Sequence, residues 1–180
     1  MIHLTGSAHR SFLFPADVSA TSTYFGNLER VLGLLPHITL VKRYGADQFR
    51  ALYHTTELGL YRVRIYCDLE AHLDSDQALL HVLPLTAHPA VKARATLNSL
   101  TAPGVYTSTS HFLAEGTHTR VEYRLRLRAT LPTPLGLNLV PQSVLEQITR
   151  NITQWRIREI ADGLVERSIK DFARRSKKRR

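Results

Sequence analysis

The chain has 180 residues, 43% of them hydrophobic, which suits one domain with a sizeable core and not two domains. Its formal charge of +9, from 24 basic and 15 acidic side chains, ordinarily indicates a nucleic-acid or anionic-membrane partner. The single cysteine, Cys67, excludes an intramolecular disulfide. No secretory leader and no apolar run near the roughly 18 residues of a membrane span are present, so a soluble cytoplasmic protein is expected.

The first part of the chain predicts a strand followed by short helices. SFLF, residues 11–14, is typical of a strand, and Asp17 after Pro15 marks a helix start because its side chain can accept from free amide donors. Apolar residues then recur at helical spacing over residues 18–35, and Pro36 ends the pattern. One or two short amphipathic helices are predicted there.

The middle of the chain predicts an antiparallel meander. The stretches ITLVKRY, FRALYHTT, LYRVRIYCDLE and ALLHVL have strand length, and the turn-forming segments GADQ, ELG and LDSDQ separate them. Residues 84–105 contain three prolines and fit neither period, so we predict a long loop or lid. The strands VYTSTSHFL and TRVEYRLRLRATL follow and form a hairpin through AEGTH.

A long C-terminal helix is predicted from about Pro141 to Phe172, with an S-x-x-E capping box at Ser143 and Glu146. Its apolar residues fall on two faces, the first formed by Val144, Leu145, Ile148, Ile152 and Trp155, and the second by Ile157, Ala161, Leu164 and Phe172. One flat contact cannot bury both faces. Either the helix bends near Gly163, or its second half contacts another surface, such as the N-terminal helix or a second subunit.

The last seven residues, RRSKKRR, hold six basic side chains, namely Arg174, Arg175, Lys177, Lys178, Arg179 and Arg180. Taking these six charges from +9 leaves +3, so the rest of the chain is nearly ordinary in charge. We therefore predict one domain over residues 1–173 and a basic tail over residues 174–180. Such a run is typical of a disordered, solubilising tail, and the alternative is an arm that binds anions.

The segment RVEYRLRLRATL carries arginines on one face and an unbroken apolar row on the other, and LYRVRIYCDLE repeats this scheme. If one face of the sheet is covered by the C-terminal helix, the arginines line the uncovered face, where Asp68, Glu70 and Glu122 can pair with some of them. This solvated face is favoured over docking of nucleic acid. In the alternative, the tail and the sheet arginines together bind an anionic partner. The sheet arginines in question are Arg62, Arg64, Arg124, Arg126 and Arg128.

The order of elements resembles the START-like or SRPBCC superfamily, the helix-grip fold, which includes lipid-transfer domains, polyketide cyclases and birch-pollen-allergen-type proteins. SFLFPADVSATSTYFGNLERVLGLLPHITLVKR is similar to that group's first strand, helix start and second-strand entry, and VPQSVLEQITRNI is similar to the start of the gripping helix in bacterial members of unknown function. The resemblance implies an α+β fold in which a curved antiparallel sheet of about seven strands grips the C-terminal helix.

The superfamily implies a cavity between the concave sheet face and the long helix, in which an apolar or amphipathic, lipid-like ligand could sit. A solidly filled core is the alternative, because rows of Leu, Ile and Val commonly pack without voids. The candidate wall residues are Tyr61, Val63, Ile65, Tyr123, Leu125 and Leu127 from strands, and Ile148, Ile152 and Trp155 from the helix.

Catalytic and metal-binding motifs are not recognised in the sequence. The nine histidines are scattered, and His54, His81 and His111 fall within predicted strands. Cys67 lies in an apolar register, which favours an inert buried thiol. No metal site, cofactor or catalytic residue is therefore predicted, and the oligomeric state stays open, with a homodimer among the alternatives.

Three functions remain at this stage. The leading hypothesis is a non-catalytic protein that binds a small apolar ligand, with residues 84–105 as a mobile lid. An enzyme version places a histidine and a tyrosine in the same cavity for cyclase-like or hydrolase-like proton transfer. The third hypothesis is binding of nucleic acid or anionic lipid headgroups through the basic tail and the sheet arginines.

Overall fold

The computed structural model describes residues 1–137 and 139–178; Arg179 and Arg180 of the predicted tail lie outside the described residues. The strands are β1 (Ile2–Phe14), β2 (Ile38–Arg43), β3 (Gln48–Glu57), β4 (Tyr61–Asp74), β5 (Leu79–Pro84), β6 (Arg94–Ala95), β7 (Ser99–Glu115) and β8 (His118–Leu131). The helices are α1 (Val18–Gly26), α2 (Leu28–Leu34) and α3 (Gln142–Lys178), with a 3-10 turn at Leu135–Leu137.

The strands form one curved sheet in the order β1-β8-β7-β5-β4-β3-β2, with β6 beside β7, and α3 packs on its inner face. This confirms the predicted α+β fold. The sheet is not antiparallel throughout. Because β5 pairs with β7 only over Leu79–Val82, the start of β4 pairs directly with the start of β7 in parallel, Arg62–Tyr66 against Ser99–Pro103.

Two element boundaries differ from the sequence prediction. The predicted loop over residues 84–105 is interrupted by the short strand β6 and is wrong from Ser99 onward, because β7 begins there and buries Leu100 and Ala102 on the inner face. The first strand begins at Ile2 instead of residue 11. The inner face of β1 includes Gly6, where α3 comes so close that an added Cβ would lie 2.7 Å from Ile157 Cγ1. Because this position requires a residue without a side chain, the alternation of apolar and polar residues is not visible in the sequence there.

The helix α3 runs unbroken through Gly163 and buries one continuous stripe, so the expectation of two apolar faces is wrong. The stripe includes Thr149, Thr153 and Ser168, whose polarity masks the pattern in the sequence. Their burial is tolerated because a hydroxyl can donate within its own helix, as Thr153 Oγ1 does to the carbonyl oxygen of Thr149 at 2.7 Å. The full stripe is Leu145, Thr149, Thr153, Ile157, Ile160, Ala161, Leu164, Ser168 and Asp171.

The second half of α3 packs against the N-terminal elements, as one of the predicted alternatives required. Phe172 lies 4.8 Å from Phe14 and 5.6 Å from Tyr24, measured between ring centroids. The Tyr24 hydroxyl donates to Asp171 Oδ2 at 3.1 Å. Gly163 is where α3 meets the ring of Pro36, so it marks close packing and not a bend.

The structure contradicts the expected disorder of the tail as far as Lys178, because α3 continues to that residue. Asp171 binds Arg174 Nη2 at 2.8 Å and Arg175 Nε at 2.7 Å. Burial opposes the charge of Asp171, yet these two arginines and Tyr24 lower its pKa overall. Within residues 1–137 and 139–178, no helix combines the length and apolarity of a membrane span.

The contact between Gly163 and Pro36 gives a stability prediction. Gly163→Ala should lower the free energy of unfolding by about 1–3 kcal/mol, because the new methyl group overlaps a proline ring that cannot swing away. Gly33→Ala is the matched control, since an added Cβ at Gly33 meets no atom within 4 Å and alanine favours the helix. Urea denaturation of both variants checks the prediction; equal effects would contradict it.

Candidate functional site

An apolar cavity of about 100 Å³ lies between the sheet and the first half of α3. Its floor comes from the inner-facing residues of β1, β3, β4, β7 and β8, and its roof comes from α3. The aliphatic lining consists of Ile2, Leu4, Leu58, Val63, Ile65, Leu100, Leu127, Leu131, Leu137, Leu145, Ile148, Ile152, Ile157 and Ile160.

A second chamber of about 30 Å³ lies deeper along the sheet and shares Tyr53, Leu127, Ile157 and Ile160 with the first. These four side chains form the partition between the chambers. The partition is made of side chains that can change rotamer, so a ligand could join the two volumes without moving a strand. Cys67, Tyr106 and Leu125 are among the residues that line the deeper chamber.

The structure brings most of the predicted wall residues together. Those that line the larger cavity are Tyr61, Val63, Ile65, Leu127, Ile148 and Ile152. Leu125 lines the deeper chamber. Tyr123 lines neither chamber, and its hydroxyl lies 2.8 Å from the hydroxyl of Tyr106, which lines the deeper one. Trp155 does not take part: it is 57% exposed, and the guanidinium of Arg156 stacks over its ring at 4.2 Å from the centroid.

The sequence prediction missed the contribution of β3. Tyr53, Thr55 and Glu57 alternate on the inner face of β3 and line the cavity. Register explains their position, because Tyr53 stands opposite Ile65 and Thr55 opposite Val63. Extending the apolar face of LYRVRIYCDLE across the β3–β4 hairpin would have identified these residues.

One corner of the cavity is polar and charged. Arg156 of α3 binds Glu57 of β3 through two bonds, Nε to Oε1 at 2.8 Å and Nη2 to Oε2 at 3.3 Å. Its Nη1 donates to Glu159 Oε2 at 2.8 Å, and His37 Nε2 lies 3.2 Å from Glu159 Oε1. The Arg156 and Glu57 side chains are only 14% exposed, so this pair is poorly screened by solvent. It ties the roof of the cavity to the floor.

The pKa shifts at this corner follow from burial and charge. Burial disfavours the charge of Arg156, but its bonds to Glu57 and Glu159 raise its pKa overall. Burial also acts against the charge of Glu159, whose pKa is nevertheless lowered by Arg156 and His37. Burial, reinforced by the charge of Glu57, raises the pKa of Tyr53. Tyr53 therefore keeps its proton at neutral pH and can only donate or accept a hydrogen bond there.

Groups that could serve nucleophilic or acid-base catalysis are scarce around the cavity. Among the described residues, no histidine lines either chamber. Burial raises the pKa of the Cys67 thiol to about 12, which removes its nucleophilic form at neutral pH. The described part of the chain also contains no group of three His, Cys, Asp or Glu side chains placed to hold a metal ion.

The five predicted sheet arginines, Arg62, Arg64, Arg124, Arg126 and Arg128, are exposed on the outer face, away from α3. Their expected pairing with carboxylates is wrong. Asp68 binds Arg50 instead, with Nε to Oδ1 at 2.7 Å, and Glu122 binds His9 at 2.7 Å. Within residues 1–137 and 139–178, no carboxylate oxygen lies within 4 Å of these five guanidinium groups.

The tail residues that the structure describes lie apart from the sheet arginines with which the alternative hypothesis combined them. Arg174 and Arg175 belong to α3, which covers the inner face of the sheet, and both bind Asp171 there. The sheet arginines project from the opposite face. Lys177 is exposed on the last turn of α3.

No family model and no curated protein sequence matches this chain. Solved structures do match it. The protein TTHA0849 from Thermus thermophilus is 21% identical with a TM-score of 0.55, covering 93% of this chain and 98% of its own. The Zhui aromatase/cyclase from a Streptomyces species is 10% identical with a TM-score of 0.58, covering 96% of both chains.

The di-domain ARO/CYC StfQ from the steffimycin biosynthetic pathway is 11% identical with a TM-score of 0.54, covering 96% of this chain and 52% of its own. At these identities the likeness establishes the fold alone. The helix-grip fold implied by the sequence resemblance is thereby confirmed.

The environment of Cys67 gives a reactivity prediction. At pH 8 the native protein should react with iodoacetamide at least about a hundredfold more slowly than the urea-unfolded chain, because burial and the raised pKa suppress the thiolate. Mass spectrometry of timed samples measures both rates on the same residue. Rapid labelling of the native protein would contradict the enclosed deeper chamber.

Proposed function

We propose that the protein binds a small apolar or amphipathic molecule between the sheet and α3, without catalysing its conversion. The observation that carries this proposal is a mainly aliphatic cavity with one charged corner. A cavity of this composition favours transfer of an apolar group from water, and the corner offers partners for one polar end.

The volume limits the size of the ligand that fits without rearrangement. About 100 Å³ is smaller than the roughly 150 Å³ aliphatic cavity that accepts benzene. A larger, lipid-like molecule requires the partition at Tyr53 and Leu127 to move, which would add the deeper chamber. The proposed ligand is therefore compact, or slender and flexible.

The polar corner supports an amphipathic ligand over a purely apolar one. Thr55 and Tyr53 present hydroxyl groups beside the Glu57–Arg156 pair, and all four residues line the cavity. A ligand hydroxyl or carbonyl could bond there while its apolar body occupies the aliphatic region. A ligand with a charged headgroup would have to displace Glu57 from Arg156 to obtain a partner for its own charge. A neutral polar end is therefore favoured.

An enzyme acting in the same cavity is the second candidate, because Zhui and StfQ are described as aromatase/cyclases. The feature that favours it is Tyr53, a buried hydroxyl beside Glu57. Against it, Tyr53 retains its proton, Glu57 is held by two bonds from Arg156, and the histidine that such a mechanism was expected to use lies outside the cavity. Binding alone therefore accounts better for the groups that line the cavity.

The binding proposal is tested with straight-chain alcohols from butanol to decanol, titrated by calorimetry. Ile148 lines the mouth and is 37% exposed, so Ile148→Trp should obstruct entry without filling the core, raising Kd at least about tenfold. Val144 lies one helical turn earlier, is similarly exposed and does not line the cavity. Val144→Trp should therefore leave Kd within about twofold.

Absence of binding to the unsubstituted protein across the alcohol series would contradict the proposal. Equal effects of the two tryptophan substitutions would also contradict it, because binding would then occur at the surface and not in the cavity. Thermal melting of each variant verifies that it is folded before the titration.

A further inference from the structure

Two exposed apolar side chains, Leu58 and Ile148, line the larger cavity, and three more exposed leucines belong to neighbouring turns. We name this set of five the apolar rim, and it consists of Leu58, Leu60, Leu97, Leu139 and Ile148. Leu97 is 71% exposed and Leu139 is 94% exposed, so neither contributes to the core. Single exposed apolar residues are ordinary, but a group gathered around an opening marks an interaction surface.

Backbone contacts hold the segments of the rim together at one end of the molecule. Leu58 and Leu60 belong to the turn between β3 and β4, and the amide of Arg62 just after that turn donates to the carbonyl oxygen of Asn98 at 2.9 Å. This bond fixes the turn that carries Leu97 beside β4. Leu58 and Ile148 both line the cavity mouth, which joins the β3–β4 turn to the first half of α3.

Leu58 is in a backbone conformation that leucine rarely adopts. Its φ is 52°, and Gly59 follows with a φ of 68°, so the turn has the left-handed form that Asn-Gly ordinarily supplies. A bulky residue is unfavourable there, and Leu58 is 63% exposed, so packing offsets little of that cost. The turn holds an apolar side chain outward at the mouth, where it is available to contact a partner.

Arginines flank the apolar rim on the outer face. Arg62 follows Leu60 closely in the chain, and Arg94 precedes Leu97 by three residues. Register places Arg94 and Arg64 on either side of Thr101, one on β6 and one on β4, so these two arginines lie about 10 Å apart across the sheet. In the part of the chain that the structure describes, none of the three has a carboxylate oxygen within 4 Å.

We infer that the apolar rim docks on the surface of an anionic lipid bilayer, with Arg62, Arg64 and Arg94 against the headgroups. The occupant must have an apolar interior and a negative surface, and a bilayer that contains anionic lipid has both. A polynucleotide would leave the leucines unused. A second copy joined by twofold symmetry would bring the same arginines of the two chains together and is disfavoured by repulsion.

This inference does not depend on the ligand proposed for the cavity, because the apolar rim is exposed whether or not the cavity is occupied. It does place the mouth against the bilayer, so a ligand that dissolves in the membrane could pass between the two. Vesicle binding and alcohol binding are separate measurements, and either can fail without the other.

The test is co-flotation of the full-length protein with vesicles of phosphatidylcholine alone, or of phosphatidylcholine mixed with phosphatidylserine. We expect binding to the mixed vesicles only. Leu60→Asp combined with Leu97→Asp should weaken that binding at least about tenfold, because two apolar contacts become charged. Neither residue lines the cavity, so alcohol binding should persist in this variant.

The matched control is Leu13→Asp combined with Leu113→Asp, since both leucines are exposed but flank Arg120 at the far end of the sheet. This pair should bind vesicles like the unsubstituted protein. Arg62→Gln combined with Arg94→Gln should weaken binding about fivefold for each arginine removed. Arg124→Gln combined with Arg126→Gln, farther along the sheet than a Debye length, should change it less than about twofold.

Equal binding to both vesicle types, or equal loss from the rim and control substitutions, would overturn the inference. So would a dimer of the unsubstituted protein in sedimentation velocity that Leu60→Asp and Leu97→Asp disperse, because the rim would then hold a second copy. Circular dichroism of every variant separates lost docking from lost folding.

Discussion

The close approach of α3 to the sheet at Gly6 determines where this molecule can hold a cavity. Ile157 rests over a residue without a side chain, and Pro36 fills the place of a side chain at Gly163. Farther along, Phe172 packs against Phe14 and Tyr24. The second half of α3 is therefore fixed on a dense core. The cavity lies ahead of the approach at Gly6, beneath the turns of α3 that carry Leu145, Ile148 and Ile152.

The ion pair between Arg156 and Glu57 gives that cavity its charged corner. It is the charged link between the roof and the floor of the cavity, and both partners are largely withdrawn from solvent. An ion pair of this kind adds little net stability, but loss of either partner leaves an uncompensated charge beside an aliphatic wall. The pair therefore fixes the height of α3 over β3 and supplies the only charges that the cavity lining presents among the described residues.

Much of the fold could be predicted from the order and spacing of the elements, because period-two and period-3.6 patterns are strong in β4, β8 and α3. The sequence was misleading where small or polar residues are buried. Gly6 and Ala8 concealed the early start of β1, and Thr149 and Thr153 split one buried stripe of α3 into two apparent faces. The apolar character of Trp155 predicts a place in the cavity, whereas the structure leaves its ring exposed beneath the guanidinium of Arg156.

The cavity itself could not be read from the sequence, since a void depends on the height of α3 over the sheet and not on which residues are apolar. Its position is tested most directly by methyl NMR of protein labelled at isoleucine, titrated with butanol. Ile65 and Ile157 line the cavity, whereas Ile169 packs near the far end of α3. Saturable chemical-shift changes are expected at the methyl groups of Ile65 and Ile157, with those of Ile169 unchanged. Shifts at exposed methyl groups alone, or none, would contradict this expectation.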